Sequence, residues 1–172
     1  MFTVNNVKVH VRVAGGVIVP TDFEDDKLTQ YSNFVVCRLA NFVYTVFPKK
    51  GHVNISGIRN FAQIPSAVTV FNSRFHTNII PINVVVDNST ASGKLSKPVQ
   101  LHSLLAHRHP DITISIRPHY FPSAVIRSLS SSLLPKSRTI ILFANGKYNI
   151  VGAKSEQEIR QTVESLCVIT RM

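Results

Sequence analysis

Near the amino terminus, the carboxyl end of the segment 4–13 alternates strictly between apolar and polar residues. On one side of an extended chain over residues 4–13 lie four valines, Val7, Val9, Val11 and Val13. On the other side lie polar or basic side chains, Asn6, Lys8, His10 and Arg12. A period of two residues is typical of a strand with one buried face and one open face. The pattern therefore predicts a strand whose open face is basic and can form hydrogen bonds.

Two segments begin with a hydroxyl residue that is followed three positions later by a glutamate. They are Thr21 with Glu24 and Ser155 with Glu158. In such a capping box, both side chains accept backbone N–H groups of the first helical turn. We therefore expect one helix over about 21–31 and a closing helix that starts at 155. The closing helix would bury Ile159, Val163, Leu166 and Ile169.

The remaining periodic segments predict further strands and two further helices. The strand-like segments are 34–39, 42–47, 52–56, 79–86, 112–117, 123–128, 139–144 and 147–151. A helix is expected over about 60–73, with Pro65 in or before its first turn, and a short helix from Pro98 to Ala106. Residues 87–97 are polar, so we expect a loop there. Asn145-Gly146 predicts a two-residue hairpin connection.

The two halves of the chain share local landmarks. Three pairs of residues stand at matching places, namely Arg38 with Arg127, Phe47 with Phe143, and Gly57 with Gly152. A duplication of about 86 residues explains these matches economically. We therefore predict an α+β protein of two repeats, roughly 1–76 and 77–172, that form one domain around a pseudo-twofold axis.

The charge of the chain is strongly positive. Its 172 residues include 19 Lys and Arg against 9 Asp and Glu, which gives a formal net charge of +10. Such a surplus favours polyanionic partners, because each neutralised phosphate releases condensed counterions. The acidic residues collect at the two predicted helix starts, 22–26 and 155–158. This distribution predicts an acidic helical face and a basic face built of strands.

Other functional classes find no support in the sequence. No apolar run approaches the roughly 20 residues that cross a bilayer, and 44% hydrophobic residues argue against a disordered tail. We find no Gly-x-Ser-x-Gly, Walker or His-Glu-x-x-His motif, so we expect no enzyme, no cofactor and no small-molecule substrate. Cys37 and Cys167 are expected to be reduced thiols of an intracellular protein. The spacing of a metal site is lacking among the clustered histidines His102, His107, His109 and His119.

Three carboxy-terminal segments resemble the second repeat of the TATA-box-binding protein family. They are 121–127 (FPSAVIR), 139–154 (TIILFANGKYNIVGAK) and 155–158 (SEQE). The family shows Phe-Pro-Gly-x-x-x-Arg, an apolar strand ending in Phe, x-x-Gly-Lys, and Thr-Gly-Ala-Lys before a long helix. The matching positions are Phe121, Arg127, Phe143, Gly146, Lys147, Gly152, Ala153 and Lys154.

The first half resembles the family more weakly. Asn5-Asn6 stands where each family repeat opens with Gln-Asn, while Arg38 and Phe47 stand at the strand arginine and the hairpin phenylalanine. We interpret Asn83 as the counterpart of Asn6 in the second repeat. The match in this half is therefore carried by few positions.

The resemblance implies a saddle, which is a curved antiparallel sheet with a concave face on the DNA minor groove and helices on its convex side. In that family, pairs of phenylalanines wedge into base steps and kink the duplex. The cost of unstacking is recovered through the wider contact that bent DNA allows. By resemblance, Phe121 and Phe143 form one pair, and Phe47 belongs to the other with an unidentified partner.

The resemblance also assigns polar contacts. It implies that Asn6 and Asn83 donate to minor-groove acceptors of central A·T pairs. Phosphate contacts, which position a protein without reading sequence, would come from Arg38, Arg127 and Lys147. The predicted open face of the first strand, with Lys8, His10 and Arg12, is the face that a saddle turns to DNA.

Two departures from the family pattern fall in the first half. Ser32 stands six residues before Arg38, where Phe121 stands before Arg127. The turn after Phe47 is one residue longer than in the family. We therefore expect an uneven bend, sharper under the second repeat. These departures favour a virus-encoded or otherwise specialised paralogue.

The resemblance implies a DNA-binding factor of transcription initiation, located in the nucleus or at a site of viral transcription. Its implied partners are A·T-rich double-stranded DNA, transcription factor IIB-like and IIA-like proteins, and RNA polymerase. One alternative is a protein-interaction or regulatory module that keeps the fold but has lost DNA bending. Another is an RNA-binding or nucleocapsid protein that relies on the positive charge alone. Discrimination between A·T-rich and G·C-rich duplexes separates the two leading interpretations.

Overall fold

Residue contacts divide the chain into two compact units. The computed structural model describes residues 1–14, 16–20, 27–80, 83–106, 110–117, 121–129, 134 and 137–171. The amino-terminal unit is Asn6–Asp87, and the carboxy-terminal unit is Met1–Asn5 with Asn88–Met172. The sequence predicts a boundary between two repeats at residues 76 and 77. Units defined by contacts do not test where a sequence repeat begins, so this boundary stays a prediction.

Five strands and one helix make up the amino-terminal unit as the structure describes it. They are β1 (Phe2–Arg12), β2 (Leu28–Gln30), β3 (Val35–Leu39), β4 (Phe42–Phe47), β5 (His52–Ile58) and α1 (Ile64–Phe75). Residues 2–5 of β1 belong to the other unit. The strands pair antiparallel in the order β2-β3-β4-β5-β1. The predicted segments 4–13, 34–39, 42–47, 52–56 and 60–73 are thereby confirmed as elements.

The core of the amino-terminal unit lies between one face of its sheet and α1. Val7, Val9 and Val11 of β1 are buried, as their spacing predicts, whereas Val13 lies beyond the end of β1 and is half-buried. Tyr44 on β4 lies fully buried with its ring 5.4 Å from that of Phe71 on α1. Its hydroxyl donates to the backbone carbonyl of Ala67 at 2.8 Å, which satisfies the one polar atom of the buried ring. The opposite face of the sheet is therefore left open.

Five antiparallel strands and a helix make up the carboxy-terminal unit in the residues that the structure describes. The elements are β6 (Val85–Lys94), β7 (Ile112–Arg117), β8 (Phe121–Ser128), β9 (Thr139–Phe143), β10 (Lys147–Ala153) and α2 (Glu156–Ile169). The sheet order is β6-β10-β9-β8-β7. Residues 85–87 of β6 belong to the amino-terminal unit. The strands predicted over 112–117, 123–128, 139–144 and 147–151 are confirmed.

The closing helix begins at the predicted cap. Ser155 Oγ accepts the backbone N–H of Glu158 at 3.2 Å. The apolar face of α2 buries Ile159 and Leu166 against the sheet, and α2 contacts β10. Between these two residues, Thr162 is fully buried. Val163, which the sequence predicted to be buried, is half-buried. An N-cap followed by an apolar stripe thus suffices to place this helix.

The helix expected over about 21–31 is wrong at its carboxyl end. Residues 21–26 lie outside the described residues. Leu28–Gln30 form β2, which pairs with Val35–Cys37 of β3. This stretch has no continuous apolar stripe, and a short helix without one is only marginally stable. Pairing with β3 satisfies the backbone of residues 28–30 instead.

The strand expected over 79–86 and the loop expected over 87–97 are displaced in the structure. Residues 81 and 82 lie outside the described residues, and β6 runs through most of the expected loop. Its small residues fit beneath larger neighbours, since Ala91 is fully buried and the ring of Tyr148 lies over Gly93. Ser89 is buried with its hydroxyl donating to the carbonyl of Ala153 at 2.8 Å. Polarity alone therefore gave the wrong element.

Two smaller observations complete the fold. The short helix expected from Pro98 is a 3-10 helix at Leu101–Ala106. None of the helices in the described ranges is long and apolar enough to span a membrane.

Candidate nucleic-acid interface

The open face of the amino-terminal sheet gathers most of the polar residues singled out in the first half. On β1, Lys8 and Arg12 are exposed and His10 is half-buried. Register places His10 across from Asn54 and Arg12 across from His52 on β5. We call this surface the amino-terminal open face. It is basic and carries hydrogen-bonding groups, as the alternation predicts.

A row of aromatic rings crosses the amino-terminal open face. Successive ring centroids are 4.5, 5.5, 5.8 and 5.4 Å apart along Tyr31, Phe34, Phe47, His52 and His10. Phe34 and Phe47 contact each other within this row. Phe34 lies two residues after Ser32, which is the position that equal spacing in the two halves indicates.

The carboxy-terminal open face is built from equivalent strands with different side chains. Arg127 is exposed between Thr113 of β7 and Thr139 of β9. Phe143, at the end of β9, lies across from Ser123 of β8 and is half-buried. The side chain of Phe121 lies outside the described part of the structure. Arg127 on β8 gives this face a positive charge as well.

Two exposed lysines extend this positive surface. Lys147 on β10 lies across from Lys94 on β6. In the pairing of β1 with β5, Arg12 and His52 occupy the positions that correspond to this lysine pair. Each unit therefore places cations at the same end of equivalent strand pairs, β1 with β5 and β6 with β10.

Each unit contains an asparagine held by the backbone N–H of a glycine. Asn6 Oδ1 accepts from Gly57 N at 3.1 Å, and Asn88 Oδ1 accepts from Gly152 N at 2.8 Å. Because a backbone N–H can only donate, these contacts fix the orientation of both amides. The oxygen of each amide is engaged with the backbone, which leaves its NH2 group to donate elsewhere.

The glycines are required at these two places. Gly57 has φ +84° and Gly152 has φ +103°, in the left-handed region that favours glycine. Each lies at a β-bulge, where the register of β1 with β5 and of β10 with β6 shifts. A Cβ would also meet the carbonyl of Asn41 or of Ser137, respectively. The matching of Gly57 with Gly152 in the sequence thus reflects a repeated local structure.

The interpretation of Asn83 as the counterpart of Asn6 is wrong. Asn83 precedes β6, and its N–H donates to the carbonyl of Ile80 at 3.0 Å. The contact with the bulge glycine belongs to Asn88 instead. The available signal was the doublet Asp87-Asn88, which parallels Asn5-Asn6 but falls in the segment expected to be a loop.

An acidic residue also contacts the amino-terminal open face. Asp87 forms a close contact with His10 Nδ1, and its Oδ2 lies 4.0 Å from Lys8 Nζ. In the carboxy-terminal unit the equivalent contact is neutral, because Ser92 Oγ donates to Asn5 Oδ1 at 3.1 Å. Sequence analysis assigned no role to Asp87.

The acidic start of α2 lies on the covered side of its sheet. Glu158 pairs with the buried Arg138, and Glu156 lies 3.3 Å from Arg160. The buried side of α2 contacts β10 from the face opposite Lys147. The other acidic segment, 22–26, lies outside the described residues.

Features that would suggest catalysis or metal binding are weak in the described residues. No group of three His, Cys, Asp or Glu side chains there is arranged to hold a metal, and His107, His109 and His119 lie outside them. Burial raises the pKa of the Cys37 thiol to about 12, although Arg74 lowers it in part. That thiol is therefore protonated and a poor nucleophile near neutral pH.

Comparison with known proteins identifies the fold. Residues 83–171 match the family model described as transcription factor TFIID, or TATA-binding protein. The TATA-binding protein of Methanococcus jannaschii superposes with a TM-score of 0.80 at 20% identity, covering 99% of this chain and 98% of that one. This likeness confirms the predicted α+β fold class with two repeats.

Two further comparisons add nothing to this assignment. Heterotetrameric sarcosine oxidase from Corynebacterium sp. U-96, in complex with pyrrole 2-carboxylate, superposes with a TM-score of 0.31 at 11% identity, over 99% of this chain and 83% of that one. A similarity that low supports no statement about fold or function. No curated protein matches the sequence significantly.

Proposed function

Because the chain belongs to the TATA-binding protein family, we propose that it binds A·T-rich double-stranded DNA in the minor groove, bends it, and acts in transcription initiation. The proposal assigns the contacts to the open faces of the two units. It keeps the amino-terminal residues Lys8, His10 and Arg12 as DNA-facing groups and replaces Asn83 by Asn88. It adds Phe34 as the partner of Phe47.

The amide groups of Asn6 and Asn88 carry this proposal. Their oxygens accept from Gly57 and Gly152, so each presents an NH2 donor. The minor-groove edge of an A·T pair shows only the acceptors A N3 and T O2, whereas a G·C pair adds the N2 amino donor of guanine. Two fixed donors therefore favour A·T pairs and disfavour the guanine amino group.

Bending is assigned to phenylalanines on the open faces. Phe34 and Phe47 present adjacent half-buried rings in the amino-terminal unit, and Phe143 ends the equivalent strand of the other unit. By family resemblance, Phe121 joins Phe143. Apolar rings inserted between base steps replace part of the lost stacking, and the bent duplex then meets more of the protein.

Phosphate contacts are assigned to exposed cations. Arg38 and Arg127 occupy equivalent positions, since they lie across from Val43 and Thr139 of the neighbouring strands. Lys147 adds a third positive charge. These groups supply affinity that depends on salt and not on base sequence.

The remaining parts of the proposal rest on family membership. We infer partners similar to transcription factors IIB and IIA and an RNA polymerase, and a place of action where DNA is transcribed, in the nucleus or at a viral transcription site. The start of α2, on the covered side of its sheet, offers acidic groups for such protein contacts.

A gel-shift comparison of Asn88→Ala and Asn83→Ala tests the assignment. With A·T-rich and G·C-rich duplexes of equal length, Asn88→Ala should reduce the A·T preference by about tenfold, as expected for loss of a good base contact. Asn83→Ala is the matched control and should leave the preference unchanged. Equal affinity of the unaltered protein for both duplexes would contradict minor-groove readout, and no binding at 50 mM salt would favour a protein-interaction module.

A further inference from the structure

We propose that Asp87 is a specificity residue, which makes the interface accept a guanine at one position of an otherwise A·T-rich site. This inference deepens the proposed function and rests on it. Its basis is the contact of Asp87 with two side chains of the amino-terminal open face.

The position of Asp87 is fixed by two basic side chains of β1. His10 Nδ1 is in close contact with one carboxylate oxygen, and Lys8 Nζ lies 4.0 Å from the other. The Asp87 side chain is 31% exposed, so it remains reachable from solvent. Because His10 also stacks on His52 at 5.4 Å, the carboxylate is anchored to the row of rings on the open face.

The internal repeat provides a direct comparison. Asp87 precedes Asn88 as Asn5 precedes Asn6, and the partners His10 and Ser92 stand four residues after those asparagines in their strands. The contact of Asn5 with Ser92 pairs an amide with a hydroxyl, both of which donate and accept. In the contact of Asp87 with His10, by contrast, the Asp87 carboxylate can only accept hydrogen bonds when it is ionised.

That chemical difference has a consequence for base recognition. The minor-groove edge of A·T offers only acceptors, which a carboxylate repels. Guanine offers the N2 amino donor, and a hydrogen bond to a charged acceptor is stronger than one between neutral groups. Lys8 and His10 reduce the repulsion between Asp87 and nearby phosphates, so the carboxylate can remain at the interface.

The test moves a single amino group through the minor groove. In a 16-base-pair A·T duplex, one adenine at a time is replaced by 2,6-diaminopurine, which keeps pairing with thymine and adds the N2 amino group of guanine. We expect one position at which this replacement raises the affinity of the unaltered protein by about tenfold. At the other positions the amino group should lower affinity or leave it unchanged.

Two variants and a control separate Asp87 from general charge effects. Asp87→Asn should bind the unsubstituted A·T duplex more tightly, because a negative charge is lost, but should show no favoured position. Glu164→Gln removes an exposed carboxylate on α2 and should behave as the unaltered protein. Asn5→Asp should create a second favoured position. Thermal unfolding of each variant verifies that the fold is kept.

The outcomes distinguish this inference from the proposed function. Binding to the A·T duplex without any position that favours diaminopurine would overturn the role of Asp87 alone. A favoured position that persists in Asp87→Asn would likewise overturn that role and leave the proposed function standing. Absence of binding to every duplex would overturn the proposed function, and this inference with it.

Discussion

The two units present different open faces on the same backbone frame. Both place an asparagine against a left-handed glycine, an arginine on the strand next to an edge strand and a phenylalanine at the end of the following strand. Around these positions the amino-terminal face carries rings and imidazoles, whereas the carboxy-terminal face carries threonine, serine and aliphatic residues. The comparison indicates that strand register fixes where equivalent side chains lie, while the chemistry of those side chains has diverged.

The clearest divergence concerns the second aromatic residue of each face. The amino-terminal unit has Ser32 and Phe34, and the carboxy-terminal unit has Phe121 and Ser123, so serine and phenylalanine have exchanged places. Phe34 contacts Phe47, while Ser123 lies across from Phe143. The uneven bend expected from Ser32 therefore loses its basis, and we expect both units to bend DNA.

The largest effect should come from the bulge glycines, which the two units share. Gly57→Ala and Gly152→Ala should each lower the free energy of unfolding by about 2 kcal/mol or more, because alanine is strained at positive φ. Gly152 should be the more sensitive, since its φ of +103° lies farther from the region that alanine tolerates. Denaturant unfolding measures the loss, with Ser56→Ala as the control. A change below about 0.5 kcal/mol would contradict the equivalence.

The next effect tests whether both faces bend DNA. Phe34→Ala and Phe143→Ala should each lower affinity for an A·T-rich duplex by about tenfold, because each removes a large apolar surface from the contact. Phe2→Ala is a suitable control, since that ring lies 5.8 Å from the Arg160 guanidinium of α2. Fluorescence anisotropy measures these affinities. A loss of affinity in Phe143→Ala but not in Phe34→Ala would support the uneven bend that was expected from the sequence.

A smaller and equal effect is expected for the strand arginines. Arg38→Ala and Arg127→Ala should each reduce the slope of log affinity against log salt by about one unit, on any sequence. Arg160→Ala, which removes a cation from α2, should leave the slope unchanged. Slopes that differ between the two strand variants would show that the two faces do not engage phosphates alike.

The smallest effect is expected on the helical side. Glu156→Lys adds two units of positive charge at the start of α2, yet DNA affinity should stay within about twofold, because the charge lies far from the phosphates and is screened. Titration with the A·T-rich duplex at 150 mM salt checks this. An increase in DNA affinity as large as the decrease in affinity caused by Arg127→Ala would place DNA near α2.

Much of the fold was predictable from apolar periodicity. The strand β1 and the helix α2 combine a clear period with a large apolar face to bury. The helix expected from Thr21 was supported only by a capping box. No apolar stripe supports a helix over residues 28–30, and these residues pair with β3 instead. The strand β6 was missed because small polar residues such as Ser89 fit a buried sheet position only beneath large neighbours.

The candidate site was predictable where a single residue carries its own chemistry. Lys8 and Arg12 are exposed on the open face, as the alternation in β1 indicates, and Arg127, which only the family resemblance singled out, is exposed as well. Of the residues proposed to contact DNA, Asn88 was not identified because it lies in the segment expected to be a loop, and Phe34 because it lies two residues from the position that equal spacing indicates. Asp87 becomes meaningful only through its contact with His10, which lies 77 positions away in the sequence.

The most direct test of the account is the bend angle of bound DNA. Energy transfer between dyes at the ends of a duplex reports the distance between those ends in the complex. For an A·T-rich duplex we predict a sharp increase in transfer on binding, reduced in part by either Phe34→Ala or Phe143→Ala and abolished by the two together. Saturating binding with unchanged transfer, equal for A·T-rich and G·C-rich duplexes, would contradict the claim that these open faces read and bend the minor groove.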